Sequence, residues 1–318
     1  MTTENKTAET ESGLFKVDPR FTPAKFVPDQ AVSTAKNSKA DTALPIDQAA
    51  ATGDITFAQA KMEAQQQAAQ DPDALRKAAQ NPIASLISVP LQNNTTTGVG
   101  PDGDRVQNVF VAQPVVPVRL TSKVNMIMRF VTPVIYQPNT FPPTPAVPSG
   151  QFGLGDINPS FFFSPAKAGK VIWGVGPTFI IPTATGTTLG QGKLQIGPTA
   201  VVLVQPKKWT FGFLVNNTWS VAGKSNRPAT NQGIFQYFIN YNLKKGYYLT
   251  WQPTITFNWK ATGSERWLVP FGGGVGRIMK LGNQPVNISV QAYANPVRQP
   301  NAGSFTLRFQ FTLLYPKK

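Results

Sequence analysis

The sequence predicts an all-β fold: an antiparallel, up-and-down transmembrane β-barrel of about 12 strands, preceded by a partly helical or disordered N-terminal extension. From Ile83 onward, β-branched and aromatic residues occur in short runs that Gly, Pro and Asn interrupt. Several of these runs alternate apolar and polar residues with a period of two. Charged residues make up only 14% of the chain, well below the roughly 25% of soluble proteins. A surface that faces lipid needs less charge.

The first 82 residues differ in composition from the rest of the chain. Residues 1–54 are polar and contain four prolines, which predicts a disordered extension. Residues 55–82 are rich in the helix formers Ala, Gln, Lys and Glu, and Pro72 divides them into two helical pieces with Asp71 as N-cap of the second. Asn81-Pro82 is a stop signal. This segment is either a solvated linker helix or a plug or partner-docking segment.

Residues 83–318 are predicted to form the barrel. The candidate strands repeat roughly every 20 residues, which fits a membrane strand of about ten residues plus a connection. They are residues 84–96, 105–119, 123–137, 152–164, 170–184, 192–205, 208–222, 231–243, 246–261, 265–279, 284–296 and 303–316. These lengths exceed the roughly 5–6 residues of most strands in soluble proteins.

Alternation is clearest in the second half of the chain. In the 246–261 strand the apolar face carries Tyr247, Leu249, Trp251, Pro253, Ile255, Phe257 and Trp259. The opposite face carries Thr250, Gln252, Thr254, Thr256, Asn258 and Lys260. In the last strand Phe305, Leu307, Phe309, Phe311 and Leu313 alternate with Thr306, Arg308, Gln310 and Thr312. A soluble sandwich alternates in the same way, so alternation alone does not decide between the two folds.

Tryptophans and prolines give opposing indications. The tryptophans near strand ends match the aromatic girdles of membrane barrels; they are Trp209, Trp219, Trp251, Trp259 and Trp267. The prolines within candidate strands conflict with regular pairing, because proline cannot donate to a ladder; they are Pro133, Pro177, Pro198 and Pro253.

The connections alternate between two kinds. Five are compact and contain lysine, around Lys123, Lys167 to Lys170, Lys207-Lys208, Lys244-Lys245 and Lys280. Six are looser, at residues 97–104, 138–151, 185–191, 223–230, 262–264 and 297–302. We call the two ends of the predicted barrel the short-turn rim and the loop rim, as in membrane barrels. An even number of strands places both chain ends at the short-turn rim.

The net charge of +15 is distributed unevenly. Residues 1–82 contain nine Lys or Arg and eleven Asp or Glu, whereas residues 83–318 contain 21 basic residues and four acidic ones. A basic chain favours nucleic acid as a partner. Much of this charge decorates one rim, however, so no nucleic-acid partner is expected.

Composition and motifs exclude most catalytic chemistry. The chain has no Cys and no His, which excludes disulfides, thiolate nucleophiles and histidine acid–base catalysis. Asp102 and Asp104 in GPDGD lack the further ligands of a calcium loop, so a turn is expected. The segments GLGDINPS and GVGPT do not open helices and are not nucleotide loops. We therefore predict no catalytic residue, no metal, no cofactor and no enzymatic activity.

Several segments resemble a known family. They are QNPIASLISVPLQNNTTTGVGPDG, PVVPVRL, NMIMRFVTPVIYQP, FGLGDINPSFFFSPAKAGKVIWGVGPTFIIPTAT, LGQGKLQIGPTAVVLVQPKKWTFGFLVNNTWSVAG and SFTLRFQFTLLYP. Over about residues 74–316 the chain resembles bacterial porin-like outer-membrane transporters, often labelled neuromedin-U-like or phenol degradation MetA-pathway proteins. The resemblance implies an outer-membrane barrel for uptake of small, often aromatic, compounds.

The chain departs from that pattern in its basic charge, its long N-terminal extension and its Tyr-Pro-Lys-Lys ending. The predicted location is the bacterial outer membrane, although MTTENKTAET lacks the basic and apolar regions of a secretory signal. A leader that has been removed, or a start site placed too far downstream, would account for this.

Polar residues on the inward face are predicted to line the lumen. They are Asn125, Arg129, Lys193, Gln195, Asn217, Gln236, Asn240, Gln252, Asn258, Lys260, Asn287, Gln291, Arg308 and Gln310. In one interpretation they line an aqueous pore that the four cations bias toward anions. In the other they hydrogen-bond to one another and fill the interior. Asp156, an acid within a predicted barrel strand, is expected to have a structural role and could pair with a luminal arginine.

Three functions remain open at this stage. The first is a channel for passive passage of small solutes, aromatic or anionic compounds among them, with outer-membrane lipid and the solute as partners. The second is a barrel without transport, serving a structural or surface-interaction role through the loop at 138–151. The third is a soluble, basic, nucleic-acid-binding β-protein. The sequence does not fix the oligomeric state, nor whether residues 1–82 enter the barrel.

Overall fold

The computed structural model describes residues 72–139, 150–167 and 169–315. The disordered extension predicted at 1–54, the first helical piece and the N-cap predicted at Asp71 lie outside these residues. So does most of the loop predicted at 138–151.

The described residues form one α-helix and fifteen β-segments. Helix α1 spans Pro72–Ala79. The β-segments are β1 (Ile87–Val99), β2 (Arg105–Ala112), β3 (Val115–Arg119), β4 (Val124–Pro138), β5 (Gly150–Leu154), β6 (Asn158–Pro165), β7 (Val171–Ile180), β8 (Lys193–Val204), β9 (Trp209–Gly223), β10 (Asn231–Asn242), β11 (Tyr247–Trp251), β12 (Thr254–Asn258), β13 (Trp267–Leu281), β14 (Gln284–Val297) and β15 (Phe305–Tyr315). Short 3-10 turns cover Lys244–Gly246 and Gly263–Arg266.

Within the described residues, no helix has the length and apolar character that crossing a membrane requires.

Fifteen segments make twelve barrel strands, because three strands are interrupted. β2 and β3 are separated at Gln113-Pro114, and β11 and β12 at Gln252-Pro253. Proline lacks the N–H that a ladder position requires, so pairing breaks at these points. β5 and β6 are separated at residues 155–157, where the register against β4 shifts by one residue.

Antiparallel pairing of β15 with β1 closes the barrel. The register runs from Ile87 opposite Tyr315 to Thr97 opposite Phe305. All other neighbours pair in sequence order, which is the up-and-down topology. The predicted closed 12-strand antiparallel barrel is therefore confirmed, with both ends of the described barrel at the short-turn rim.

The apolar faces point outward. In β15 the side chains of Phe305, Leu307 and Phe309 are each more than 40% exposed. The alternate positions point into the barrel, where Thr312 is 3% exposed. In β14 the inward Gln291 is 2% exposed, whereas the outward Val290 is 44% exposed. In a soluble β-protein the apolar face is buried and the polar face is exposed to water.

Aromatic residues mark two levels on the outer surface. In β9, Trp209 stands at the short-turn rim and Trp219 near the loop rim, and both are exposed. A strand rises about 3.4 Å per residue, so they lie about 34 Å apart along β9, or about 26 Å along an axis tilted by roughly 40°. The apolar band of a membrane barrel is about 25 Å high.

The interior is not polar throughout, and here the structure differs from the sequence prediction. An apolar cluster fills part of the lumen; its members are Ile83, Val115, Ile127, Phe162, Val201, Leu203, Leu214 and Phe238. The strands that supply it are apolar on both faces, as in the run AVVLV at 200–204. Ile83 belongs to the N-terminal segment and reaches Gly174, whose missing side chain leaves room for it.

We predict that a charge on the outer face destabilises the barrel far more than one on the inner face. Phe309→Arg should lower the free energy of unfolding in lipid vesicles by about 2–4 kcal/mol, because hydrocarbon does not solvate a guanidinium. Thr256→Arg, at an inward position, should lower it by less than about 1 kcal/mol. Denaturant titration of both variants measures this difference, and equal losses would contradict the assigned faces.

Candidate functional site

Two adjoining cavities occupy the lumen. The upper cavity has a volume of about 830 Å³ and is bordered by loop-rim residues such as Gln299 and Asn301. The middle cavity has a volume of about 370 Å³. Asn158 and Ile234 line both cavities, so the two are neighbours along the lumen.

The middle cavity has walls of mixed polarity, with Val111, Val115, Leu214 and Phe238 among their apolar members, and a floor from the N-terminal segment. The amide and guanidinium side chains of its walls are Gln92, Gln113, Arg129, Asn158, Gln236, Gln252, Arg308 and Gln310. Ala79, Asn81 and Pro82 line it from below. None of the residues that line this cavity is an Asp or a Glu.

Arg308 is fixed in the middle cavity by three contacts. Its Nε donates to Asn94 Oδ1 at 3.0 Å, and its Nη1 donates to the backbone oxygen of Gln252 at 3.1 Å. The guanidinium carbon lies 4.9 Å from the centre of the Tyr293 ring. These contacts use neutral partners, so the positive charge is oriented without being neutralised.

Arg129 supplies a second positive charge to the same cavity. Its Nη2 donates to Gln113 Oε1 at 2.7 Å. Gln113 lies in the interruption between β2 and β3, so the break in pairing places its amide beside the guanidinium. Two guanidinium groups therefore face a small cavity that contains no carboxylate.

Asp156 organises the upper cavity. Its Oδ2 accepts the backbone N–H of Gln191 at 2.7 Å, and its Oδ1 accepts that of Ala184 at 3.2 Å. Gly190 is required here, because a Cβ atom would lie 2.4 Å from Asp156 Oδ1. The sequence left open a pairing with a luminal arginine, but the carboxylate instead ties the connection between β7 and β8 to the barrel wall.

The N-terminal segment enters the barrel at the short-turn rim. Leu75 of α1 and Leu86 are buried. Together with Ala84 they pack against Tyr248, Ile278 and Leu314, which are inward residues of β11, β13 and β15. We call residues 72–86 the plug.

Hydrogen bonds fasten the plug to the wall. Gln80 Nε2 donates to Asn242 Oδ1 at 2.8 Å, and Thr210 Oγ1 donates to Gln80 Oε1 at 2.9 Å. Gln205 Nε2 donates to the backbone oxygen of Lys77 at 2.8 Å. Of the two roles that the sequence left open for this segment, these contacts favour the plug over a solvated linker.

The structure sorts thirteen of the fourteen predicted lining residues into four groups. Arg129, Gln236, Gln252, Arg308 and Gln310 line the middle cavity, and Asn258 lines the upper one. Five do not line either cavity and lie at inward strand positions: Asn125, Gln195, Asn240, Asn287 and Gln291. Lys193 and Lys260 lie at the loop rim, where the Lys193 ammonium donates to the backbone oxygen of Lys224 at 2.7 Å.

Asn217 points outward, contrary to the sequence prediction. Trp259 Nε1 donates to its Oδ1 at 2.9 Å, and its Nδ2 donates to Asn231 Oδ1 at 2.9 Å. Its neighbour Asn216 takes the inward position and lines the upper cavity. The outer face of β9 carries Trp209, Phe211, Phe213 and Trp219, and the two-residue alternation places Asn217 on that same face, where a tryptophan of the aromatic girdle donates to it.

Sequence reasoning missed several inward residues. They are Gln113, Asn158, Gln191, Asn216, Gln232, Tyr248 and Tyr293. Alternation from Gln252 back to Tyr248, and from Gln291 on to Tyr293, would have found the two tyrosines. Gln113 and Gln191 lie outside regular strands, where the two-residue period does not apply.

Among the residues that the structure describes, no three His, Cys, Asp or Glu side chains come close enough to hold a metal ion.

A comparison with protein-family models gives no match, and neither does a comparison with curated proteins. Solved structures do resemble the barrel. The COG4313 outer membrane channel from Pseudomonas putida F1 matches over 74% of this chain and 97% of its own, with 14% identity and a TM-score of 0.56. This likeness shows a shared fold.

Two further structures match less well. Outer membrane phospholipase A from Escherichia coli covers 72% of this chain and 89% of its own, with 12% identity and a TM-score of 0.41. The CymD monoaromatic hydrocarbon channel covers 78% of this chain and 91% of its own, with 8% identity and a TM-score of 0.40. No conclusion rests on these two.

We predict that Asp156→Asn loosens the connection between β7 and β8. An asparagine has one acceptor oxygen, so it cannot hold the amides of Ala184 and Gln191 together. Hydrogen exchange followed by mass spectrometry should show exchange at residues 182–192 accelerated by about tenfold or more, as loss of a charge-assisted hydrogen bond implies. Asp104→Asn is the control, and unchanged exchange in Asp156→Asn would contradict the anchoring role.

Proposed function

We propose that this protein is an outer-membrane channel for the passive passage of small solutes, with a preference for anions. One observation carries the proposal: an outward apolar belt surrounds a lumen whose middle cavity contains two arginines and no carboxylate. Membership of the transporter family that the sequence resembles, and the uptake of aromatic compounds that this family implies, are part of the same proposal.

The outer surface supports a membrane location. The belt lies between two levels of aromatic residues whose spacing fits the apolar thickness of a bilayer. In the part of the chain that the structure describes, closure by β1 and β15 leaves no unpaired strand edge, which is the condition for β-structure in hydrocarbon. The COG4313 outer membrane channel has a similar fold, and its name agrees with this location.

The lumen supports passage of small solutes. The two cavities total more than one small molecule requires, and amide side chains along the path can replace water around a solute. The apolar cluster and the plug occupy the short-turn end. Passage from one rim to the other therefore requires the plug to move.

The two arginines support the preference for anions. In a water-filled lumen a single charge about 4 Å from an anion contributes about 1 kcal/mol, which is a roughly fivefold change in occupancy. Arg129 and Arg308 act in the same direction. Asp156 and Glu265 line the upper cavity and act in the opposite direction, although the carboxylate of Asp156 is already held by two backbone amides.

A barrel without transport is the second candidate, and the plug favours it. If the contacts of Gln80 and Ile83 are permanent, the lumen is closed at one end. Swelling of liposomes in sugars, amino acids and aromatic acids separates the two functions, because only a channel admits solute. The chain remains predicted to have no enzymatic activity.

We predict that ion selectivity depends on the middle cavity. The wild-type protein in planar bilayers should show a reversal potential on the anion-selective side in a salt gradient. Arg129→Gln combined with Arg308→Gln should lower the anion-to-cation permeability ratio by roughly fivefold or more. Arg119→Gln removes an exposed arginine at the short-turn rim and is the matched control. Cation preference in the wild type would refute the proposed anion preference.

We also predict that weakening the plug opens the channel. Ile83→Ala removes a buried contact in the apolar cluster, which should cost the closed state about 2–4 kcal/mol and raise the open fraction by about 30-fold or more. Val202→Ala truncates a neighbour of the cluster residues Val201 and Leu203 on the other face of β8 and is the control. Single-channel recording measures the open fraction. Equal conductance in Ile83→Ala and the wild type would contradict a movable plug.

A further inference from the structure

Exposed lysines ring the short-turn rim. Eight of them lie in or beside its turns, and all are exposed: Lys123, Lys167, Lys170, Lys207, Lys208, Lys244, Lys245 and Lys280. The turn segments at 119–123, 166–170, 205–208, 243–246 and 280–283 contain no Asp or Glu. The opposite loop rim differs, because Asp102, Asp104 and Glu265 belong to it, and Asp156 lies in the wall of the upper cavity beside it.

These ammonium groups have no partner among the described residues. None of the eight side chains makes a hydrogen bond or an ion pair with another described residue. At the loop rim, Lys193 donates to a backbone oxygen, whereas the side chains of Lys224 and Lys260 make no hydrogen bond or ion pair with another described residue. The charges at the short-turn rim are therefore free to bind an anion from outside the chain.

Backbone requirements do not explain two of the lysines. Lys207 and Lys245 have φ angles of 47° and 56°, in the left-handed region. Gly or Asn adopts this conformation at lower cost than a residue with a long side chain. A lysine at these two turns therefore goes against the local preference of the backbone.

Aromatic residues fix the depth of this ring in a membrane. Trp209 directly follows Lys207-Lys208, and Tyr247 follows Lys244-Lys245 by two residues. Both rings are on the outer surface and exposed. Tryptophan and tyrosine settle at the level of lipid headgroups, so the adjacent lysines lie at the level of the phosphates.

We propose that the lysine ring binds the phosphates of anionic phospholipids in the leaflet at the short-turn rim. The proposal rests on the membrane location proposed above. The lysines are spread over five turns around the circumference, which matches a shell of lipid surrounding the barrel. Lysine is a flexible point charge that reaches a phosphate without fixed geometry, and a phosphate at this position gains an attraction that screening by salt weakens.

The test compares lipid preference in two variants. The protein is inserted into nanodiscs of phosphatidylcholine and phosphatidylglycerol, and the lipids that remain bound are counted by native mass spectrometry. The rim variant carries Lys207→Asn, Lys208→Gln, Lys244→Gln and Lys245→Asn, where Asn suits the left-handed turns. The control variant removes four charges at the loop rim through Lys193→Gln, Lys224→Gln, Arg227→Gln and Lys260→Gln.

The expected result is enrichment of phosphatidylglycerol around the wild type and the control variant. In the rim variant this enrichment should fall by at least about fivefold, the contribution of one lysine at an anionic surface. Raising the salt concentration should reduce the wild-type enrichment in the same direction.

Three results would overturn the proposal. If the wild type still conducts ions but binds the two lipids equally, the proposed lipid binding by the lysine ring is refuted and the proposed channel function is not. Equal loss in the rim and control variants would show that net charge, not the ring, sets the preference. Failure of the wild type to insert into any lipid would refute the membrane location together with the ring.

Discussion

Closure of the sheet is the constraint on which the rest of this structure depends. A strand in hydrocarbon cannot leave its N–H and C=O groups unpaired, so the eleven-residue register between β1 and β15 is as necessary as any pair formed by neighbours in sequence. The interrupted strands obey the same constraint, because groups that lose a partner in the ladder find another one. Where Pro114 and Pro253 remove a donor, the flanking residues turn their side chains or backbone oxygens to other partners: Gln113 binds Arg129, and the Gln252 oxygen accepts from Arg308. The two luminal arginines are thus held at the two places where proline breaks the ladder.

Three groups of residues fill much of the space that the closed barrel encloses. Hydrogen-bonded amides and hydroxyls occupy one side, as where Tyr248 donates to Asn287 at 2.7 Å. An apolar cluster occupies the other side. The plug closes the short-turn end, joined to the cluster through Ile83 and to the polar wall through Gln80. Because Ile83 is part of the cluster, the movement of the plug that the proposed channel requires would expose apolar surface inside the lumen.

The sequence predicted the strands well because few structures other than a β-strand fit an alternation of apolar and polar residues that recurs along so long a chain. The candidate strand at 208–222 became Trp209–Gly223, and the one at 246–261 became two segments separated at its own proline. Face assignment was sound wherever one face was apolar throughout, as in β15. It failed at Asn217, although Phe213 and Trp219 lie at alternate positions on the same outer face of β9. The apolar cluster and the docking of Gln80 were not predictable, since they depend on contacts between residues more than a hundred positions apart, such as Gln80 and Asn242.

The two rims follow from the same topology. An even strand number brings the start of β1 and the end of β15 to one rim, so the plug can enter the lumen only from that side. The short turns there leave little backbone to shape a binding surface, and side-chain charge is what remains, which accounts for the exposed lysines. The longer connections at the other rim have enough chain to fold over the mouth, and Asp156 holds one of them there through two backbone amides. Asp156 therefore lies where a long connection is anchored, and the exposed lysines lie where the strands are joined by short turns.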